Sequence, residues 1–252
     1  NVCYKVESNN YADVDKTCVD VTIGKASITA PAADNTKFTY TGAAQTYTLA
    51  TNDAYTISGN TQTNAGSHTV TVSLNDTKNY EWSDGKTDVK TYKFTIDKAQ
   101  QPSNVKLPTA AENLSYTGAA QNLFTDPENV EGKISYSTDG GQSWSPSIPK
   151  GTDADTYNVC YKVESNNYAD VDKTCVDVTV EPKLLTLIWT GASSYTYNGG
   201  KQGPTASISG ECGSDDVQVL VTGNEQTNAG ASYKSTASLT GSRATNYVLP
   251  ED

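Results

Sequence analysis

Two cysteines near the start of the chain are spaced to form a disulfide. Cys3 and Cys18 lie in the segment NVCYKVESNNYADVDKTCVDVT, whose alternating apolar and polar residues predict a β-hairpin. A register that sets Cys3 opposite Cys18 brings their side chains within disulfide reach and places the apolar residues of both strands on one face. Closing this loop stabilises a fold by roughly 3 kcal/mol in the chain-entropy treatment. The same register sets Lys5 opposite Lys16, a mildly unfavourable pair.

The whole segment recurs, letter for letter, at Asn158–Thr179. Cys160 and Cys175 therefore repeat the arrangement, and Cys212 is left unpaired. Two cross-strand disulfides indicate an oxidising, extracellular setting, and reduced thiols are the alternative. A zinc site is disfavoured because each pair lacks the neighbouring Cys or His that would complete four ligands. We predict disulfides Cys3–Cys18 and Cys160–Cys175, with no metal site and no cofactor.

The segment STDGGQSW at Ser137–Trp144 matches the Asp-box pattern S-x-D-x-G-x-x-W of sialidase propeller hairpins. In such a hairpin Asp139 accepts hydrogen bonds from turn amides, Gly141 supplies a positive φ and Trp144 packs beneath the turn. A propeller requires several such blades, and this sequence has one copy. The motif therefore predicts a structural hairpin. A glycosidase would require further Asp boxes outside this sequence.

The sequence lacks the combinations of residues that other catalytic sites require. His68 is the one histidine, and we place it at an outward position of a strand, as a surface residue rather than a general base. The acid pairs Asp13 with Asp15 and Asp153 with Asp155 lie in turns. They predict solvated turn carboxylates, with weak calcium binding as the alternative, and neither has EF-hand spacing. We expect no enzymatic activity.

Tyrosine dominates the aromatic residues, with 16 tyrosines against 3 phenylalanines. This ratio predicts amphipathic stripes on solvated sheets. Exposed tyrosines, together with Trp82 and Trp189, are an alternative sugar-stacking platform. No individual ligand-stacking residue can be assigned from the sequence.

Composition restricts the class of partner. The formal charge of -11 and the absence of a basic cluster disfavour nucleic acid, whose phosphates this chain would repel. No apolar run reaches transmembrane length, so we expect no membrane insertion. Only 35% of the 252 residues are hydrophobic, which favours several small domains over one large enzyme core.

Three similar segments mark an internal repeat. YTGAAQ stands at Tyr40–Gln45 and Tyr116–Gln121, and YNGGKQ stands at Tyr197–Gln202. Each is followed by a TNAG-like turn and then by an Asn-Tyr pair. The turns and pairs are Thr63–Gly66 with Asn79 and Tyr80, Thr152–Asp155 with Asn167 and Tyr168, and Thr227–Gly230 with Asn246 and Tyr247. Because the order is the same three times, we expect tandem domains.

We expect four segments along the chain. They are the C-terminal hairpin of an incomplete repeat (1–24), a first repeat (25–98), a second repeat with a disulfide hairpin (99–182) and a third repeat whose closing strand is missing (183–252). The boundaries have little linker, which predicts a rod-like array. Because the sequence has no Met and starts inside a hairpin, we expect it to be an excerpt of a longer protein.

Strand periodicity predicts an all-β fold. In SHTVTVSL, Val70, Val72 and Leu74 alternate with polar residues, as in a half-buried strand. No long segment has helical periodicity, and Gly- or Asn-rich turns separate the strands. We therefore predict tandem small β-sandwich domains of Ig-like type. A β-grasp-like arrangement is the alternative.

The quoted motifs also resemble a known class of repeat. YTGAAQ, YSTDGGQSWSPSIPKGTDADTYNVCYKVESNNYADV and TNAGSHTVTVSLNDTKNY resemble the tandem MBG-type and bacterial Ig-like repeats of large cell-surface adhesins. The resemblance spans most of the chain. It implies a secreted, extracellular stalk on a bacterial surface, attached to the cell wall or released. The alternatives are an adhesive module that binds a host glycan or matrix protein, and an accessory region of a secreted glycosidase.

The two ends of the chain suggest a further partner. The hairpin at residues 1–23 carries the type of strand that the third repeat lacks, so strand exchange between copies, head to tail, is one hypothesis. The alternative is a fragment whose hairpin packs on its neighbour in the same chain.

Overall fold

A computed structural model describes residues 1–251 and is built almost entirely of short β-strands. One 3-10 helix, Ala244–Asn246, is the only helix in this part of the chain. The predicted all-β class is confirmed. None of the described residues forms a helix long and apolar enough to cross a membrane. The chain divides into two compact units, Asn1–Ala99 and Gln100–Asp252.

Unit 1 contains one four-stranded sheet and three two-stranded ladders. Its strands are β1 (Val2–Val6), β2 (Val14–Val19), β3 (Ala26–Ile28), β4 (Phe38–Thr39), β5 (Gln45–Thr46), β6 (Tyr55–Ser58), β7 (Thr61–Gln62), β8 (Gly66–Leu74), β9 (Tyr80–Trp82) and β10 (Lys90–Asp97). The sheet order is β4-β10-β8-β6, and the ladders are β1-β2, β3-β9 and β5-β7. β10 therefore lies inside the sheet, antiparallel to β8 and parallel to β4.

The core of unit 1 follows the predicted alternation. Val70 and Val72 of β8 and Phe94 and Ile96 of β10 are buried, and the residues between them are more exposed. Trp82 is buried beside Tyr55, with ring centroids 5.8 Å apart. Burial of these apolar side chains is the main source of stability in a unit of this size.

Unit 2 repeats the same sheet once and adds smaller ladders. Its strands are β11 (Leu114–Ser115), β12 (Gln121–Asn122), β13 (Lys133–Ser137), β14 (Lys150–Gly151), β15 (Asp155–Glu164), β16 (Val171–Glu181), β17 (Lys183–Leu184), β18 (Thr186–Thr190), β19 (Thr205–Ser209), β20 (Gln218–Thr222), β21 (Thr236–Thr240) and β22 (Tyr247–Val248). The sheet order is β11-β16-β15-β13. The ladders are β12-β14, β17-β22, β18-β19 and β20-β21.

Unit 2 has two clusters of buried residues. One lies within the second repeat and includes Leu123, Phe124 and Val159. The other joins Tyr116, from the second repeat, to residues of the third repeat: Leu185, Val217 and Tyr247. The segments predicted as the second repeat (99–182) and the third repeat (183–252) therefore share part of their packing, and residues 100–252 form one compact unit.

The hairpin β1-β2 departs from the predicted register near its tip. Cys3 pairs with Cys18 as predicted, but the ladder shifts between Tyr4 and Val6. The predicted pairing of Lys5 with Lys16 falls in this bulge, where Lys5 lies between the regular pairs and opposite both Asp15 and Lys16. Lys5 forms an ion pair with Glu7.

Candidate functional site at the junction of two repeats

Both disulfides are present, and the two identical hairpins have different surroundings. Cys3 is bonded to Cys18 and Cys160 to Cys175. In the second copy the apolar face is buried, with Val159 0% exposed. In the first copy the same face is open, and its counterpart Val2 is 65% exposed. The disulfide therefore cross-links a core hairpin in one case and a solvent-exposed hairpin in the other.

The Asp-box segment forms a self-contained turn. The carboxylate of Asp139 accepts hydrogen bonds from the hydroxyl of Ser137 at 2.6 Å and from the amide of Ser143 at 2.9 Å. The hydrogen bond from Ser137 and those from Ser143 hold the pKa of Asp139 far below its usual range. Gly141 has the expected positive φ of 91°, and Trp144 is half-buried. Asp139 is thus fully engaged in holding the turn.

His68 is placed differently from the prediction. It is half-buried and lies on the same side of β8 as Val70, because the two residues are separated by two positions. Its ring packs 5.3 Å from the ring of Phe94, and its Nε2 lies 2.8 Å from the carbonyl oxygen of Asn64. The predicted outward position is therefore wrong.

Asp13 and Asp153, one carboxylate from each predicted acid pair, have protein partners. Asp13 accepts a hydrogen bond from the amide of Ser8 at 2.9 Å, which closes the tip of the first hairpin. Asp153 binds Arg243, with 2.7 Å between Oδ1 and Nη1. Among residues 1–251, no three His, Cys, Asp or Glu side chains are grouped as a metal site requires.

The two tryptophans proposed for sugar stacking differ in exposure. Trp82 is only 1% exposed and donates from Nε1 to the carbonyl of Asp88 at 2.7 Å. It is a core residue, so its predicted place in an exposed platform is wrong. Trp189 is 40% exposed. The exposed tyrosines of the third repeat are Tyr195, Tyr197 and Tyr233.

The junction of the second and third repeats centres on one carboxylate. The hydroxyls of Tyr116 and Tyr247 each donate to Oδ2 of Asp215 at 2.6 Å. The two rings meet edge to face, with centroids 5.2 Å apart. Tyr116 belongs to the YTGAAQ segment of the second repeat, and Tyr247 to the Asn-Tyr pair of the third. The two tyrosines are buried and Asp215 is half-buried. Hydrogen bonds to a charged acceptor are among the stronger ones in proteins.

The hydrogen bonds at this carboxylate shift three pKa values. The bonds from Tyr116 and then Tyr247 lower the pKa of Asp215. The bond to Asp215, followed by burial, raises the pKa of Tyr116 to about 12. Burial, followed by the bond to Asp215, raises the pKa of Tyr247. The junction therefore favours an ionised Asp215 between two neutral tyrosines across the neutral pH range.

A second set of polar contacts joins the same two repeats. The buried side chain of Asn246 accepts from the amide of Ala154 at 2.7 Å and donates to Asp153 at 3.1 Å. Arg243 adds an ion pair with Asp153, but both side chains are about half exposed. Such an exposed pair contributes at most about 1 kcal/mol. Asn246 is the more important contact because it is buried and satisfied at both ends.

Gly118 allows the close approach of the two repeats. Its φ is 76°, and a Cβ at this position would lie 3.1 Å from Cβ of Cys212 in the third repeat. Lys183 donates to the Cys212 sulfur at 3.3 Å, and the amide of Cys212 donates to the hydroxyl of Tyr247 at 2.8 Å. The positive φ favours glycine at this position of the YTG motif, and a Cβ there would also press against Cys212.

The sequence contained only part of this site. Tyr116, Asn246 and Tyr247 were visible as repeat markers, and Asp153 as a turn acid. Their shared role was not visible, because Asp215 has no counterpart in a repeated pattern. No known protein-family model matches the chain, and no curated protein matches it either.

Proposed function

We propose that this chain is a structural stalk or spacer segment of a surface-displayed bacterial adhesin, without enzymatic activity. The observation that carries this proposal is the junction of Tyr116, Asp215 and Tyr247, which ties the second repeat to the third. A spacer must transmit force and keep its length. Hydrogen-bonded contacts between repeats, made here by two buried tyrosines, resist bending at the point where an array is otherwise most flexible.

The strand order also favours a role under tension. In the first repeat β4 lies parallel to the closing strand β10, and in the second repeat β11 lies parallel to β16. Backbone bonds extend both pairs, since the amides of Tyr40 and Tyr116 donate to the carbonyls of Asp97 and Glu181 at 2.8 Å. When the two ends of a repeat are pulled apart, a parallel pair of early and late strands is loaded in shear. All the hydrogen bonds of the strand pair then resist the applied force together.

The disulfides support an extracellular placement. Bonds such as Cys160–Cys175 persist in oxidising compartments and are rare in the cytosol. Attachment to a bacterial surface is the finer part of the proposal, and it rests on the resemblance of the repeat motifs to those of surface adhesins.

A binding screen tests the proposal against its adhesive rival. The folded protein is applied to arrays of glycans and extracellular-matrix proteins, and candidate ligands are checked in solution by tyrosine and tryptophan fluorescence. The spacer proposal predicts no selective, saturable ligand. A saturable hit that weakens when exposed aromatic residues are replaced would contradict it.

Glycan binding is a second candidate function, favoured by one observation. Tyr195, Tyr197 and Tyr233 are exposed around one cavity of the third repeat. Exposed tyrosine rings stack against the apolar faces of sugars. The binding screen described above also tests this candidate. If the third repeat binds a glycan through these tyrosines, the variant Tyr195→Ala should lose that binding.

A further inference from the structure

The disulfide Cys160–Cys175 lies on the outer face of the sheet in the second repeat. Along β15, Val159 and Tyr161 point into the buried cluster. Successive residues of a strand point to opposite faces, so Cys160 points away from that cluster. The register places Ser137, Cys160 and Cys175 in one row across β13, β15 and β16. The bond between the two sulfur atoms therefore runs along this row, from β15 to β16.

The two cysteines of this disulfide differ in exposure. Cys160 is 0% exposed although it points away from the core, whereas Cys175 is exposed. On the same outer face, Ser135 and Ser137 of β13 are buried as well. The second face of an antiparallel sheet is commonly solvated. Another part of the chain must therefore cover Cys160 and the two serines.

The Asp-box turn, residues 137–144, is this cover. Nζ of Lys173 on β16 donates to the carbonyl of Gly140 at 3.1 Å. Nζ of Lys162 on β15 lies 4.8 Å from the centroid of the Trp144 ring. The turn therefore leaves β13, crosses the outer face of β15 and reaches β16.

This cover blocks one of the two directions from which the disulfide can be attacked. A thiolate breaks a disulfide by attacking one sulfur in line with the bond, opposite the sulfur that leaves. For Cys160 this approach passes over Ser137. The hydroxyl of Ser137 donates to Asp139 at 2.6 Å and accepts from the amide of Gly141 at 2.9 Å. The Asp-box turn therefore occupies the path to the sulfur of Cys160.

The path to Cys175 is open. In-line attack on its sulfur comes from the flank of β16 that faces away from β15. The strand on this flank is β11, which pairs with Val180 and Glu181 at the far end of β16. Within residues 1–251, no strand lies beside Cys175 on this flank. A thiolate can therefore reach Cys175 without any movement of the sheet.

We propose that Cys175 is the site at which thiols exchange with this disulfide, and that the Asp-box turn shields Cys160. The incoming thiolate forms a bond to Sγ of Cys175. The electron pair of the broken bond goes to Sγ of Cys160, which leaves as a thiolate and takes a proton from water. A second thiolate then attacks the bound sulfur and releases Cys175.

The same path in reverse forms the bond. A mixed disulfide at Cys175 is resolved by the thiolate of Cys160, which needs no access to solvent. The partner is therefore a thiol, carried either by a small molecule or by a thiol–disulfide oxidoreductase. The single Asp box of this chain then protects a disulfide, and no propeller is needed to explain it.

Two single-cysteine variants test the difference between the sulfurs. Cys160→Ala and Cys175→Ala each leave one thiol of the pair, and both lack the same cross-link. Cys212→Ser removes the free thiol from both. Each variant reacts with glutathione disulfide, and the adduct is located in tryptic peptides, since 174–183 differs in sequence from 17–25. We expect the thiol of Cys175 to react at least tenfold faster than that of Cys160, and the two rates to become equal in urea.

Removal of the shield provides the second test. Asp139→Ala deletes the carboxylate that holds the turn. It should raise the rate at Cys160 at least fivefold and change the rate at Cys175 less than twofold. Glu112→Ala is the control, because it removes an exposed carboxylate elsewhere in the same repeat and should change neither rate by twofold.

A third measurement keeps the disulfide intact and so does not depend on the folding of the single-cysteine variants. The Cys212→Ser protein is mixed with glutathione, quenched in acid and mapped. We expect glutathione on peptide 174–183 and a free thiol in peptide 151–162. A thioredoxin variant with only its attacking cysteine then replaces glutathione. Its capture at Cys175 assigns the exchange to protein thiols, and capture of glutathione alone assigns it to small thiols.

Three results would overturn the proposal. One is equal reaction rates of the Cys160 and Cys175 thiols in the folded variants. Another is glutathione found on the peptide of Cys160. The third is an Asp139→Ala variant in which the rate at Cys160 is unchanged.

Discussion

Removing the hydroxyl of Tyr116 should uncouple the second and third repeats without leaving a cavity. The side chain is 2% exposed, and its hydroxyl donates at 2.6 Å to the carboxylate of Asp215. A hydrogen bond to a charged group contributes about 1.5–3 kcal/mol. Tyr247 still donates to Asp215 after the change Tyr116→Phe, so the carboxylate is not left unpaired. We therefore expect a loss of about 2 kcal/mol in the free energy of unfolding.

Urea unfolding of the 252-residue chain measures this loss. Two probes follow the two repeats, because Trp144 lies in the second and Trp189 in the third. Each is observed in a variant whose other tryptophans are replaced by phenylalanine. In the parent protein the two transitions should coincide. In the Tyr116→Phe variant the transition of the third repeat should move to lower urea.

A double-mutant cycle separates this hydrogen bond from other effects of the substitution. Tyr116→Phe is made alone and in the background of Asp215→Asn, and the coupling between the two changes should be about 1 kcal/mol or more. Tyr197→Phe is the matched control, since this tyrosine is 65% exposed and should change stability by less than about 0.5 kcal/mol. A coupling near zero, or a loss no larger than that of the control, would refute the role assigned to the junction.

Three further predictions concern the same unit. Gly118→Ala should lower stability in thermal unfolding more than the control Gly42→Ala does, by about 1 kcal/mol or more. Both glycines have positive φ, but only a Cβ on Gly118 would meet a neighbouring side chain. Reduction of Cys160–Cys175 should lower the stability of the second repeat by roughly 3 kcal/mol, and an unchanged calorimetric transition would exclude this. Because the pKa of Tyr116 is raised from 10.0 to about 12, its contribution is present below pH 10 and should be lost as pH rises towards 12. Ultraviolet titration of tyrosinate should show late-ionising tyrosines, and Tyr116→Phe should reduce their number by one, since the pKa of Tyr247 is also raised.

The sequence predicted the strands and the disulfide hairpins well because both depend on local patterns. A period of two sets which side chains face the core, and opposite cysteines restrict the register. The bulge beside Lys5 was not predicted, because a bulge is a local backbone event that leaves no mark in this pattern. His68 was misplaced although the same alternation puts it on the side of Val70.

Tertiary contacts were much less visible in the sequence. Trp82 looked like a candidate for an exposed platform, but its strand is short and its ring packs into the core. The junction required Asp215 to meet Tyr116, and these residues are far apart in sequence and lie in different repeats. The alternation of apolar and polar residues along the sequence does not indicate such a contact. The Ig-like or β-grasp-like assignment, the proposed domain limits and strand exchange through residues 1–23 stay predictions.

Single-molecule pulling of the oxidised protein tests the spacer proposal most directly. Force applied to the two ends of the chain passes through the parallel strand pairs and through the contact of Tyr116 with Asp215. We predict that the second and third repeats unfold in one event, that the released length increases after reduction of Cys160–Cys175, and that Tyr116→Phe splits the event in two. Separate unfolding of the third repeat at low force in the parent protein, unaffected by Tyr116→Phe, would contradict the proposal.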